Sequence, residues 1–158
     1  MPRSLNIRRV FSLVLTVVIF AGIGAGQTAE LNPKAISIKL PPDIKWSGTA
    51  TSPNQQAVLY GDPSKEGLYI VLYKWHPNNM SRPHFHPNDR FITVISGTWW
   101  VGTGNKYDPE STKPVPAGSF VTHFGKEVHY DGAKGEECIL QIVGMGPATS
   151  TAAPAPGQ

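Results

Sequence analysis

The sequence predicts an all-β domain, a sandwich or barrel, on three observations. Apolar runs in the middle of the chain are short and are separated by turn signals about every eight to twelve residues, a spacing that suits such folds. β-Branched and aromatic residues dominate those runs. Beyond the first 26 residues no stretch sustains a helical period.

Taken in order, the N-terminus comes first. Residues 1–9 carry Arg3, Arg8 and Arg9 with no acid, and Val10 to Ile23 form a largely apolar run whose only hydroxyl residues are Ser12 and Thr16. Gly24, Ala25 and Gly26 follow. A membrane helix needs about 20 predominantly apolar residues, and this run stops short in small ones. It reads as a secretory signal peptide over residues 1–26, cleaved between Gly26 and Glu30, with a retained N-terminal anchor as the alternative. Arg8-Arg9-Val10-Phe11 has a weaker resemblance to a twin-arginine export signal. A periplasmic or secreted protein is expected, with no membrane contact after cleavage.

Cleavage removes three of the 14 basic residues and none of the 11 acidic ones, leaving 11 of each. The basic character belongs to the signal, so the clustered Lys and Arg of a nucleic-acid surface are missing and no nucleic-acid partner is expected. Cys138 is the single cysteine and lies in an apolar run. It has no partner for an intramolecular disulfide and reads as a buried small hydrophobe.

Candidate strands are Ala57–Tyr60, Leu68–Trp75, Phe91–Ile95, Thr98–Gly102, Ser119–Phe124 and Cys138–Val143. Between them stand Gly61-Asp62-Pro63, Pro77-Asn78-Asn79, Ser96-Gly97, Pro116-Ala117-Gly118 and Asp131-Gly132, each read as a turn. Ser96-Gly97 is expected to close a hairpin that sets Phe91–Ile95 antiparallel to Thr98–Gly102. Trp99-Trp100 puts one indole on each face of its strand, so at least one belongs to core or interface. From Ala148 to Gln158 no large apolar side chain occurs, and this tail is expected to be disordered.

Chemistry concentrates in His84-Phe85-His86, Gly97 and His129. Side chains at i and i+2 of a strand point the same way, so His84 and His86 can present two imidazoles to one point. Pro83 and Pro87 hold that stretch extended. A third imidazole from a distant strand completes a facial metal set, and His129, just past the turn at Gly125-Lys126-Glu127, is the candidate. His76 reads as a loop residue. His123 has the opposite parity to Phe120, Thr122 and Phe124, so it faces either solvent or cavity. Gln141 interrupts Ile139-Leu140-Gln141-Ile142-Val143 and either satisfies a backbone group or lines the pocket.

These spacings resemble the two motifs of the cupin superfamily. The first is a glycine, five residues, HxH, three or four residues, Glu, six residues, Gly. Here His84, His86 and Gly97 hold their places, Asn78 stands for the leading glycine and Arg90 for the glutamate. The second is a glycine, five residues, PxG, two residues, His. Gly118 and His129 meet it, while Phe124 and Lys126 replace the proline and glycine. Tyr60-Gly61-Asp62-Pro63, Thr93-Val94-Ile95-Ser96-Gly97-Thr98 and Gly144-Met145-Gly146-Pro147 are similar to exported single-domain cupins. The resemblance implies a single double-stranded β-helix, an RmlC-like jelly-roll barrel, over residues 55–147. An N-terminal extension with an arm strand would occupy residues 27–54. It also implies a homodimer and one divalent transition metal on His84, His86 and His129.

Arg90 is the departure that matters. A guanidinium stays protonated and has no lone pair, so it cannot replace the glutamate as a ligand. Pointing inward beside a metal held by neutral imidazoles, it would call for an anion, whose carboxylate its fork could pair bidentately. Pointing outward, it would have no role in the site; a third reading is a decayed, metal-free site. Arg90, Gln141 and His123 are therefore the candidate substrate-binding residues. The resemblance makes an Fe(II) dioxygenase acting on a small anionic or dicarbonyl molecule plausible, with Zn or Mn as other metals. The alternative is a non-catalytic protein that binds a small ligand or metal.

Overall fold

Alternation of inward and outward side chains organises the barrel. The computed structural model describes residues 30–157, so the signal sequence expected over residues 1–26 lies outside the described residues. In residues 30–37 the amides of Lys34, Ala35 and Ile36 bond back to Asn32. Residues 38–157 form a separate unit. Its strands are β1 (Asn54–Tyr60), β2 (Gly67–Trp75), β3 (Asn79–Met80), β4 (His84–Phe85), β5 (Arg90–Ser96), β6 (Thr98–Thr103), β7 (Lys113–Pro116), β8 (Phe120–His123), β9 (His129–Ala133), β10 (Cys138–Gly146) and β11 (Thr151–Ala152). All pairs are antiparallel, in one sheet ordered β1-β2-β10-β5-β8 and a second ordered β11-β4-β9-β6-β7, with β3 also on β9.

β10 shows how sequence sets the faces. Cys138, Leu140 and Ile142 are buried, whereas Ile139, Gln141 and Val143 lie on the other face, Gln141 between Leu72 and Thr93 of the neighbouring strands. The buried residues join Tyr69, Val71 and Trp75 of β2, Ile92 and Val94 of β5 and Trp99 of β6 in one core. Each fully buried aliphatic or aromatic side chain contributes about 1.5–3 kcal/mol, which suits a domain without a disulfide. Cys138 is wholly buried in that core, and burial pushes its thiol up to about 12, so it is an inert hydrophobe. Of the two indoles, Trp99 enters the core and Trp100 lies under the Lys134 ammonium on the outside.

Several expectations need correction. Ser96-Gly97 does not close a hairpin: β5 is flanked by β10 and β8, and β6 by β7 and β9, in different sheets. With both edges of β5 occupied, Gly97 carries the chain from one sheet to the other. It does so at φ +70, where a Cβ would collide with the Glu137 carbonyl. Asp131-Gly132 is buried strand within β9, because β6 and β3 satisfy its backbone on both sides. Before β1 the extension forms a 3-10 turn at Pro41–Asp43 and one isolated bridge from Ser47 to Gln56 instead of an arm strand. The tail, expected to be disordered, is paired into the domain as far as Ala153. β11 pairs with β4, Ala148 N–H donates to Pro63 O, and Ala153 N–H donates to Pro83 O. Backbone pairing of this kind needs no apolar side chains.

Among the described residues only two non-glycines take positive φ: Asn78 (61°) and Lys126 (67°). They are two positions where the resemblance expects glycine. The left-handed geometry is thus retained without the residue that adopts it freely, and Lys126 N–H uses it to donate to His86 O at 2.7 Å. Opposite outcomes are expected at two turns. Gly97→Ala should destabilise by about 2 kcal/mol or more, and exposed Lys126→Gly should stabilise by about 1 kcal/mol. Denaturant unfolding of both variants checks the signs.

Candidate metal centre

β4 and β9 bring the histidines together. His84 is the direct cross-strand partner of His129, and His86 follows two residues along the same face. Ring nitrogens of His84, His86 and His129 all lie within 4.8 Å of one another. Ring centroids are 4.6 Å apart for His84 and His129, 4.9 Å for His84 and His86, and 5.3 Å for His86 and His129. Metal–imidazole bonds of about 2.0–2.1 Å need nitrogens about 3.0–3.4 Å apart, so small ring rotations close the set.

Each imidazole is oriented by backbone. His84 Nδ1 lies 2.8 Å from Arg82 O, His86 Nδ1 2.8 Å from Thr149 O, and His129 Nδ1 3.1 Å from Glu127 O. A carbonyl only accepts, so every Nδ1 carries the proton and every Nε2 keeps its lone pair. Such bonds fix the tautomer and ring angle of a metal ligand. Burial, with the Arg90 charge beside it, lowers His86 to about 3, and burial likewise lowers His129, so both stay neutral near pH 7. Buried His129 Nε2 finds no hydrogen-bond partner among the described residues. Three pre-aimed ring nitrogens, that of His129 without a hydrogen-bond partner among the described residues, fit a divalent transition metal.

Arg90 points inward. It shares its face of β5 with buried Ile92 and Val94, and its Nη1 donates to His86 Nε2. Its Nε is buried without a partner. The outward reading of Arg90 therefore fails. His123, the cross-strand neighbour of Arg90, also faces inward, with its ring 3.8 Å from that of His129 and 5.2 Å from that of Trp99. Its neighbours Phe120 and Phe124 are exposed, as parity requires. Burial lowers His123 to about 3, so it is a neutral wall beside the triad. Gln141 is a correction: it lies on the outer face of β10, where alternation puts it, and takes no part in the cavity. His76 is not in the cluster and faces Glu137.

Sequence reasoning missed Asp131. It is two residues beyond His129 on β9, so period two alone places it beside the ligands. Its carboxylate accepts from Trp99 Nε1 and Ser81 Oγ, both at 3.0 Å. Burial would raise its pKa, but His123, His129, His84 and Arg90 outweigh that and hold it below the usual carboxylate value. A fixed negative charge therefore stands in the barrel, away from the motif position that Arg90 occupies. The cavity beside these groups measures about 490 Å³, and Tyr73, Met80 and the tail residues Ala148, Ser150 and Ala152 help to line it.

No protein-family model matches the sequence, and no curated protein matches it. Solved structures match the architecture. The polyketide cyclase RemF from Streptomyces resistomycificus superposes with a TM-score of 0.62 at 16% identity, over 77% of this chain and 88% of that one. An uncharacterized double-stranded β-helix protein from Klebsiella pneumoniae gives 0.54 at 23%, over 68% and 90%. The DMSP lyase DddQ from Ruegeria pomeroyi gives 0.56 at 12%, over 73% and 64%. The chain has the cupin fold, a double-stranded β-helix.

Two outcomes are expected. Deleting residues 148–158 removes the carbonyl that orients His86 and should weaken metal binding by about 10–100-fold; chelator competition measures it, and unchanged affinity would count against the tail's role. In the metal-free protein His86, His123 and His129 have folded pKa values below their unfolded ones. The unfolded chain then binds more protons below about pH 6.5, and stability should fall as pH drops from 7 toward 4. Urea midpoints across that range test the sign.

Proposed function

We propose that the protein is an exported, metal-dependent cupin enzyme that acts on a small anionic or dicarbonyl molecule. The observation that carries this reading is the set of three Nε2 lone pairs, aimed at one point by backbone bonds, with the inward guanidinium of Arg90 next to them. His84, His86 and His129 would hold one divalent transition metal, with Fe(II) favoured and Zn or Mn as the others. Bound there, Fe(II) supplies oxygenation, and Zn supplies Lewis acidity or an activated water.

The chain's own residues supply the rest. Arg90 pairs with the carboxylate of the ligand. Burial, with Asp131 nearby, raises the Tyr73 phenol to about 12, so Tyr73 lines the cavity as a hydrogen-bond donor near pH 7. His123, packed on Trp99, narrows the wall behind His129. The exposed Leu68, Phe91, Phe120 and Met145 on the outer face of the first sheet support a homodimer.

A non-redox reading uses the same residues with the metal as Lewis acid only. The likenesses to a polyketide cyclase and a DMSP lyase favour it.

Metal analysis of the protein purified without oxygen, followed by spectra before and after exposure to air, separates these readings. Iron with oxygen-dependent spectral change supports oxygenation; zinc supports the Lewis-acid reading. His84→Ala, His86→Ala and His129→Ala should each lose most of the metal, whereas His76→Ala should keep it. Equal metal in all four variants would sink the assignment.

A further inference from the structure

We propose that Arg90 is an exchangeable plug of the metal centre, and that a small carboxylate binding to its guanidinium frees His86 and so promotes metal binding. The inference rests on the three-histidine reading above and concerns the order in which that site fills. His86 has one ring lone pair to offer, because Nδ1 holds its proton against Thr149 O. Arg90 Nη1 donates into that lone pair. A metal at the triad needs the same electrons, so guanidinium and metal exclude each other at His86 Nε2. Their like charges oppose each other as well.

The displaced guanidinium then needs acceptors. Its Nε is already buried without one, and leaving His86 strands Nη1 too. A carboxylate in the adjoining cavity supplies two oxygens to the fork and an anionic partner for the incoming cation. Metal and anion therefore bind with positive coupling, and the coupling is reciprocal. Without the anion the plug keeps a fixed positive charge on the His86 lone pair.

The test is a Zn²⁺ titration against a competing chelator, with and without benzoate, on the full chain and on Arg90→Met. In the wild type benzoate should tighten Zn²⁺ by about tenfold, within the usual range of couplings between sites. Arg90→Met should bind Zn²⁺ more tightly than wild type without benzoate and lose most of the benzoate increment. If benzoate acted only as a direct ligand of the metal, its increment would survive in Arg90→Met. A second measurement avoids the variant: in metal-free wild type, benzoate should shift the ¹⁵N resonances of His86 Nε2 and Arg90 Nε. An equal benzoate increment in both proteins, or no shift of those resonances, overturns the plug while leaving the three-histidine centre standing. Failure of both proteins to bind Zn²⁺ overturns the plug and the metal centre together.

Discussion

Three backbone carbonyls hold the site in place. Those of Arg82, Glu127 and Thr149 each accept a hydrogen bond from one imidazole, and they come from segments far apart in the chain. The demand is strict, since a ring that turned over would present N–H instead of a lone pair. Antiparallel pairing of β4 with β9 supplies two of the three rings directly, and β11 on the other edge of β4 keeps the tail close to His86. The turn around Lys126 adds a bond to the His86 carbonyl. Much of the second sheet can thus be understood as scaffolding for three lone pairs.

Charge follows from the same geometry. Burial keeps His86 and His129 neutral, and an imidazole brings no negative charge to offset a divalent metal. Asp131 provides one fixed negative charge from β9, satisfied by Trp99 and Ser81 in place of a metal bond. Arg90 provides a positive one from β5. Because the arginine stands where a fourth ligand is expected from the cupin pattern, the barrel combines a lower-charge ligand set with a cation that seeks an anion.

The all-β class, the main strands and the three-histidine cluster were legible in the sequence because each depends on a short period. His84 and His86 sit two apart, and the spacing to Gly97, Gly118 and His129 matches a known pattern. What was not legible depends on long-range pairing. Ser96-Gly97 carries hairpin chemistry, but only the neighbours of β5 reveal a crossover between sheets. Asp131-Gly132 looks like a turn until β3 and β6 close on both sides of it. β7, Lys113–Pro116, contains two prolines and survives because it is an edge strand. The tail has no large apolar side chain, as a disordered segment would not, yet its backbone pairs with β4 and orients His86. Gln141 was a reading of polarity in an apolar run; alternation along β10 turns it outward.

X-ray absorption at the metal edge of the loaded protein tests the central claim most directly. Three imidazole nitrogens at about 2.0–2.2 Å, with the remaining positions filled by light oxygen donors from solvent or a bound anion, is the predicted shell. The pattern should be lost selectively when His86 is replaced. A shell with sulfur, one without imidazole scattering, or one unchanged by loss of His86 would contradict the account.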